Sequence, residues 1–289
     1  MTQIPIKRIK INVKAIGVNR ADILQLEGKY PAPDNNPIPG LEIAGIRIDT
    51  NERVCALLTS GGYSNVVEVD ESQIFTIPDG LDFVEAAALP EALVTTWLNL
   101  FQLGNIHNIS NVLIHGGASG ICSMMVKFAL FFGKKVYTTS KNIEKLDYLK
   151  NIDNCTCLTF DDYIENILNY GKVDLVIDIL GGKYLDGNLK VLQEKGRLIL
   201  FAVMDNKTSE INIARILLKN LTIIGSTLRN KTKEEKALLI NDMVKNLLPI
   251  ITSGKISPII SKIFKLEDYK SAHDFIKSGK NIGKVILEI

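Results

Sequence analysis

The stretch Ile114-His115-Gly116-Gly117-Ala118-Ser119-Gly120-Ile121-Cys122 holds residue types and spacing that could do chemistry. That chemistry is anion binding. A glycine-rich turn between a strand and a helix leaves backbone N–H groups at a positive helix end, where a pyrophosphate is stabilised. Asn111-Val112-Leu113-Ile114 reads as a short buried strand, and Met124, Met125, Phe128, Ala129, Phe131 and Phe132 recur at helical spacing. Against the pattern G-x-G-x-x-G the three positions hold Gly117, Ser119 and Cys122, so an ordinary strand-to-helix turn gives the same signal. A second strand is expected over Lys134-Lys135-Val136-Tyr137-Thr138-Thr139-Ser140. A dinucleotide site that reads a bare ribose 2′-hydroxyl ends this strand in an acid. Here it ends in Ser140 and Lys141, with no acid until Glu144. Ser140, Lys141 and Lys145 suit a 2′-phosphate better, so the pattern favours NADPH over NADH.

A second candidate is Val173-Asp174-Leu175-Val176-Ile177-Asp178-Ile179-Leu180-Gly181-Gly182, a buried strand emptying into a glycine turn. Ligands of open α/β sheets lie at such C-terminal strand edges. Gly181 and Gly182 would let backbone approach a ribose and nicotinamide, although a plain turn reads the same way.

Elements that could position these residues follow from pattern and length. The 289 residues, 46% apolar, suffice for one large or two ordinary domains. A net charge of +2 and the absence of a basic cluster argue against nucleic acid. The cysteines, Cys55, Cys122, Cys155 and Cys157, form no C-x-x-C pair, so neither a metal site nor a disulfide framework is expected. Reduced thiols, a polar N-terminus and no apolar run of membrane-spanning length predict a cytoplasmic protein without a membrane partner. Residues 1–96 carry short β-rich segments with turn signals, including Pro31-Ala32-Pro33. From 97 to 230, strands are expected at 111–115, 135–139, 156–160, 173–179, 196–202 and 221–226, with helices at 120–132, 142–150, 161–169 and 183–193. Six strands with intervening helices are a Rossmann count. A helix (232–248), an extended piece (257–264), a helix (267–277) and a strand (284–289) are expected to close the chain.

Taken with Asn19-Arg20-Ala21-Asp22, Gly28-Lys29-Tyr30, Gly40-Leu41-Glu42, Ala86-Ala87-Ala88-Leu89-Pro90-Glu91-Ala92, Asp178-Ile179-Leu180-Gly181-Gly182-Lys183-Tyr184 and Asn281-Ile282-Gly283-Lys284, the chain resembles a known family. It is similar to the zeta-crystallin-like quinone oxidoreductases of the zinc-free medium-chain dehydrogenase/reductase superfamily, nearest the branch that includes the p53-inducible quinone oxidoreductase. The resemblance implies an α/β protein: a Rossmann, doubly wound parallel-sheet NADP-binding domain over 97–230, and a β-rich GroES-like catalytic domain over 1–96 and 231–289. It implies a homodimer that uses NADPH on quinones or other α,β-unsaturated carbonyls. It places Asn19, Asp22 and Tyr30 at the substrate pocket, Tyr30 as a donor to a developing oxyanion. Thr95 would meet the nicotinamide end of the cofactor, and Ser119, Gly120 and Ile121 the pyrophosphate. Ser140, Lys145 and Tyr184 would meet the 2′-phosphate, while Gly181, Gly283 and Lys284 complete the cofactor set. Leu41 stands where zinc-dependent members carry a His, so no metal ligands are expected.

Two departures fall in the catalytic domain. The family usually begins some two dozen residues earlier, and residues 45–53 replace a longer excursion; either loss would open the pocket or expose a sheet edge. Cys122 stands where the family has Gly, which predicts a helix held slightly off the sheet. Two other readings stay open: an enoyl or alkenal reductase, and a catalytically weak NADPH-binding protein.

Overall fold

The computed structural model describes residues 7–30 and 37–289; the expected turn at Pro31-Ala32-Pro33 lies outside the described residues. The chain divides into two compact units, Met1–Val94 with Arg229–Ile289, and Thr95–Leu228.

The first unit begins with β1 (Arg8–Val18). Its first half alternates exposed Arg8, Lys10 and Asn12 with buried Ile9, Ile11 and Val13, the two-residue period of a half-covered strand. From Ala15 onward both faces are buried. There follow α1 (Arg20–Leu26), β2 (Glu42–Arg47), β3 (Arg53–Leu57), β4 (Val66–Asp70), β5 (Ile74–Thr76), α2 (Phe83–Ala86) and α3 (Pro90–Thr96). The shortened connection between β2 and β3 is a tight turn with Asn51 at φ 61°. The Arg47 guanidinium holds it, donating to both oxygens of Asp49 at 2.6 and 2.9 Å.

In the second unit α3 gives way to wider, π-helical turns over Trp97–Leu103. The alternating elements are then β6 (Asn111–His115), α4 (Gly120–Phe131), β7 (Lys135–Thr139), α5 (Ile143–Lys150), β8 (Cys155–Leu158), α6 (Tyr163–Tyr170), β9 (Val173–Asp178), α7 (Leu185–Val191), β10 (Leu192–Leu200), α8 (Ile213–Lys219) and β11 (Thr222–Gly225). The strands run parallel in the order β11-β10-β9-β6-β7-β8. The order reverses between β6 and β9, the switch point where open α/β sheets take their ligands. Fully buried Leu113, Ile114, Val136, Tyr137, Val176, Ile177, Leu198 and Ile199 explain why these strands read as continuous apolar runs. The Rossmann expectation therefore holds.

The chain returns to the first unit as α9 (Lys233–Asn246), α10 (Leu248–Thr252), β12 (Ile260–Lys265), α11 (Tyr269–Lys277) and β13 (Lys284–Glu288). Among the described residues the sheet of this unit has the order β12-β13-β1-β2-β3-β5, with β4 also on β1, which is the GroES-like half of the expectation. No helix among the described residues is long and apolar enough to cross a membrane.

Three local expectations need correction. The zone 1–96, for which only β-rich segments and turns were expected, also contains α1, α2 and α3. The expected helix over 183–193 is a short 3₁₀ turn, Gly182–Tyr184, followed by α7. Helix α8 was not expected at all. Its apolar Ile213, Leu217 and Leu218 are 71%, 75% and 76% exposed, so it carries no core-facing stripe to read. Its local signal is the Asn212 cap, whose side chain accepts from Ala214 N–H at 3.0 Å.

Two loops of the first unit cross at glycines. Gly62 N–H donates to Gly40 O at 3.1 Å and Tyr63 N–H to Pro39 O at 3.0 Å. Gly40 has φ 113°, and a Cβ there would stand 2.6 Å from Gly62 Cα. Gly40→Ala is therefore expected to cost about 2 kcal/mol or more, from left-handed strain plus overlap. Thermal unfolding checks this; an unchanged melting temperature would contradict the crossing.

Candidate functional site

The second unit builds its cradle at the β6–α4 turn. Gly116 has φ 69°, and a Cβ on it would stand 2.6 Å from Ile179 Cδ1. Gly116 N–H donates to Thr139 O at 3.0 Å, and Gly117 N–H to Thr138 Oγ1 at 3.0 Å. The Thr138 hydroxyl in turn donates to Ile114 O at 2.7 Å. Ser119 caps α4, its Oγ accepting from Cys122 N–H at 3.4 Å. Ser119 N–H goes to Gly116 O at 2.8 Å. Among the described residues this leaves the N–H groups of Ala118, Gly120 and Ile121 without an acceptor. These are the groups a helix N-terminus offers an anion. Cys122 is buried beneath them at the start of α4.

Behind the cradle lies a buried polar chain. Asp178, at the C-terminal end of β9, accepts at Oδ1 from Leu180 N–H (2.6 Å) and Gly181 N–H (3.2 Å). Its Oδ2 accepts from Asn188 Nδ2 at 3.0 Å. Asn188 Oδ1 therefore faces the Tyr163 hydroxyl (3.0 Å) and His115 Nε2 (2.8 Å). Because Oδ1 can only accept, Nε2 carries the imidazole proton and Nδ1 accepts from the Thr139 hydroxyl at 2.8 Å. Burial holds the His115 pKa below its ordinary value, which keeps this neutral tautomer. The chain ties the ends of β6, β7 and β9 together and fixes the Gly181–Gly182 turn, where both glycines have positive φ.

At the end of β7 the Ser140 hydroxyl is buried and accepts from Asn142 N–H at 3.2 Å. Lys145, on the first turn of α5, is half-buried, and burial lowers its pKa. Tyr184 is buried and its ring lies 5.2 Å from Phe160. Thr95 is buried, and its carbonyl accepts from Asn99 Nδ2 at 2.9 Å.

The first unit holds a second cluster. Asn19 N–H donates to Asp22 Oδ2 at 2.7 Å, and Gly40 N–H to Asp22 Oδ1 at 3.1 Å. Burial pushes Asp22 up to about 7 against these donors. Asn19 Nδ2 donates to Glu42 Oε1 at 2.8 Å, and Glu91 N–H to Glu42 Oε2 at 2.8 Å. The ammonium of Lys284, 3% exposed, donates to Asn19 Oδ1 at 2.8 Å and pairs with Glu42 Oε1. Gly283, at φ 82°, turns the chain into β13 just before it. This cluster does not fit a divalent metal: a fixed ammonium fills its centre and no Cys or His takes part. Among the described residues no group of three or more His, Cys, Asp or Glu could hold a metal ion.

The structure thus joins Asn19, Asp22 and Lys284, and it buries the Lys284 ammonium on a carboxylate of its own unit. Tyr30 lies elsewhere, under the Arg229 guanidinium, 4.1 Å from the ring centroid. Arg229 also reaches Gln25 Oε1 at 3.3 Å. Glu42 received no role from the sequence, although it sits in the quoted Gly40-Leu41-Glu42. Tyr63 and His273 were missed outright. The Tyr63 hydroxyl and His273 Nε2 share a hydrogen bond of 2.8 Å, and burial raises the tyrosine pKa and lowers that of the histidine. The one signal for Tyr63 was its place after Ser60-Gly61-Gly62.

Comparison with known proteins agrees with this geometry. The profile of the zinc-binding dehydrogenase family matches residues 120–244. The human synaptic vesicle membrane protein VAT-1 homolog-like is 28% identical over 313 residues, covering 97% of this chain and 74% of that protein. Its crystal structure superposes with a TM-score of 0.83 over 98% of this chain and 89% of that chain. The quinone oxidoreductase of Thermus thermophilus, solved also in complex with NADPH, is 25% identical with a TM-score of 0.85, over 98% of this chain and 91% of that one. A highly reducing polyketide synthase of Emericella nidulans is 27% identical over 304 residues, which are 100% of this chain and 12% of that protein.

Removing Lys284 strands Glu42 as a buried, uncompensated charge. Lys284→Met is expected to cost about 3–5 kcal/mol, and adding Glu42→Gln to restore part of it. Urea unfolding of the single and double variants checks this; equal stability of Lys284→Met and wild type would contradict the pairing.

Proposed function

We propose that this chain, which belongs to the medium-chain dehydrogenase/reductases of the zinc-binding-dehydrogenase type, is an NADPH-dependent oxidoreductase that reduces quinones. The observation that carries the reading is the β6–α4 turn, where Ala118, Gly120 and Ile121 keep open N–H groups at a helix start. The NADPH complex of the Thermus thermophilus quinone oxidoreductase, on the same fold, supports the same cofactor here.

The residues present fit that cofactor. Ser119, Gly120 and Ile121 would hold its pyrophosphate, and the Ser119 hydroxyl, accepting from Cys122 N–H, keeps its own proton to donate. Ser140, Lys145 and Tyr184 would hold the 2′-phosphate. Gly181 would admit the ribose closely, Thr95 would meet the nicotinamide end, and Gly283 and Lys284 are assigned to the cofactor set through the family resemblance. Bound there, NADPH supplies a hydride. In the first unit Tyr30 is the proposed donor to the substrate oxygen as it gains charge. Asn19 and Asp22 shape that part of the chain through the cluster with Glu42. A quinone suits such a set, since its carbonyl needs hydrogen-bond donors and no Lewis acid. A second reading, reduction of a carbon–carbon double bond, is favoured by the whole-chain match to a highly reducing polyketide synthase. A weak NADPH-binding protein would bind the cofactor and turn over neither substrate. Free thiols at all four cysteines support a cytoplasmic setting.

NADPH is expected to bind roughly tenfold or more tightly than NADH, about 1.4 kcal/mol. Lys145→Ala should erase most of that preference by removing a charge-assisted contact. Calorimetry with both nucleotides decides, and equal dissociation constants would sink the cofactor reading. With 9,10-phenanthrenequinone as acceptor, NADPH oxidation should be observed, and Tyr30→Phe should slow it roughly 3- to 30-fold with NADPH affinity unchanged, less than the loss of an essential oxyanion donor. Bound NADPH without oxidation would leave the binding-protein reading standing.

A two-fold dimer is also proposed. Strand β11 is an edge of its sheet, and Ile223 on it is 41% exposed, as Leu217 and Leu218 of the preceding α8 are exposed. An apolar edge strand pairs readily with its own copy, here over residues 221–226. Light scattering at micromolar protein should give twice the chain mass; a monomer would refute this pairing.

A further inference from the structure

Tyr30 is held by its backbone and its ring, while its hydroxyl is left unspent. The backbone is fixed at the end of α1, where the N–H groups of Lys29 and Tyr30 both donate to Leu24 O, at 2.9 and 3.1 Å. Gly28, at φ 68°, makes the left-handed turn that brings them there. That places the Tyr30 Cα but leaves the side-chain torsions open, and their rotation would carry the hydroxyl from one place to another. Among the described residues no group shares a hydrogen bond with that hydroxyl, so no such bond pins it.

Arg229 closes those torsions. It is the first residue of the segment that returns to the first unit. Its guanidinium carbon lies over the ring of Tyr30, 4.1 Å from the centroid. The guanidinium is itself aimed, because its Nη2 donates to Gln25 Oε1 at 3.3 Å. Gln25 is buried in the last turn of α1. Its Nε2 donates to Ser60 Oγ at 3.3 Å and to Ile38 O at 3.5 Å, which turns Oε1 toward Arg229. The Ser60 hydroxyl in turn donates to Ile38 O. The end of α1 therefore fixes the Tyr30 backbone directly and its ring through Gln25 and Arg229. A planar cation on a ring face restricts the plane of the ring and leaves its edge open. The hydroxyl stands on that edge.

We propose that Arg229 is a positioning residue for the reaction: stacked on Tyr30 and fixed by Gln25, it holds the phenol in the orientation from which its hydroxyl donates to the substrate oxygen. The inference rests on the reading of Tyr30 as that donor and names what aims it. A donor set in place beforehand needs no reorganisation as charge develops, and a misplacement of about 1 Å can cost up to about 10²-fold in rate.

The test is a double-mutant cycle on the full chain, with NADPH and 9,10-phenanthrenequinone, over wild type, Tyr30→Phe, Arg229→Met and the double variant. Arg229→Met is expected to lower kcat roughly 3- to 10-fold, within the range of one cation–π contact and no further than Tyr30→Phe lowers it. KM for the quinone and the calorimetric affinity for NADPH should change by less than about twofold, since only the transition-state contact is lost. In the Tyr30→Phe background, with the hydroxyl gone, Arg229→Met should change kcat by less than about twofold. Melting temperatures report folding. If Arg229→Met does not fold, the cycle is run with Arg229→Lys, which keeps the charge and loses the planar stack, and a smaller loss with the same coupling is expected. If Tyr30→Phe slows turnover and Arg229→Met either has no effect or multiplies that loss in full, the positioning role is overturned while Tyr30 stands as the donor. A rise in KM alone, or weaker NADPH, would also overturn it, by assigning Arg229 to the substrate or the cofactor. If Tyr30→Phe turns over like wild type, or wild type turns over no quinone, the donor reading and the positioning role fail together.

Discussion

A carboxylate taken out of water must find a donor for each oxygen, and that requirement organises both compact units. In the first unit the carboxylate is Glu42. Its oxygens take the Asn19 amide, the Lys284 ammonium and the Glu91 N–H, so β2, the start of α1, β13 and the start of α3 converge on one group. In the second unit it is Asp178, met by two backbone N–H groups of its own turn and by Asn188. Neither arrangement tolerates drift, because each donor that moves away leaves a charge unsatisfied in a low dielectric. The turns that carry the proposed cofactor contacts inherit that rigidity.

The same accounting separates backbone groups that hold the fold from those available to a ligand. Gly117 is a glycine because Thr138 Oγ1 occupies the space a side chain would need, and that oxygen also takes the Gly117 N–H. The threonines of β7 therefore shape the glycine turn: Thr138 through Gly117, and Thr139 through Gly116 and His115. What remains open at Ala118, Gly120 and Ile121 is set by what Thr138, Thr139 and Ser119 have already taken.

What was legible in the sequence is what depends on near neighbours. The β6–turn–α4 unit, the alternation of strands and helices, and a second strand ending without an acid follow from local periodicity and glycine placement. Interactions between distant residues were not legible. Lys284 and Glu42 stand 242 positions apart, and the resemblance assigned Lys284 to the cofactor while giving Glu42 nothing. Tyr63 meets His273 across 210 positions, and no local spacing announces the pair. His115 looked like the last residue of a strand; only the fold shows it bonded to Asn188, 73 positions on. Helix α8 escaped for the opposite reason, since its apolar residues face outward and no inward stripe marks it.

The open amides of the β6–α4 turn are the proposed receptors of an NADPH pyrophosphate. The direct measurement is a titration of ¹⁵N-labelled protein with NADPH, followed by the amide resonances of residues 116–123. Large, saturating shifts are expected for Ala118, Gly120 and Ile121, and small ones for Gly116 and Gly117, whose N–H groups are already bonded to Thr139 and Thr138. Saturable NADPH binding that leaves Ala118, Gly120 and Ile121 unmoved would contradict it.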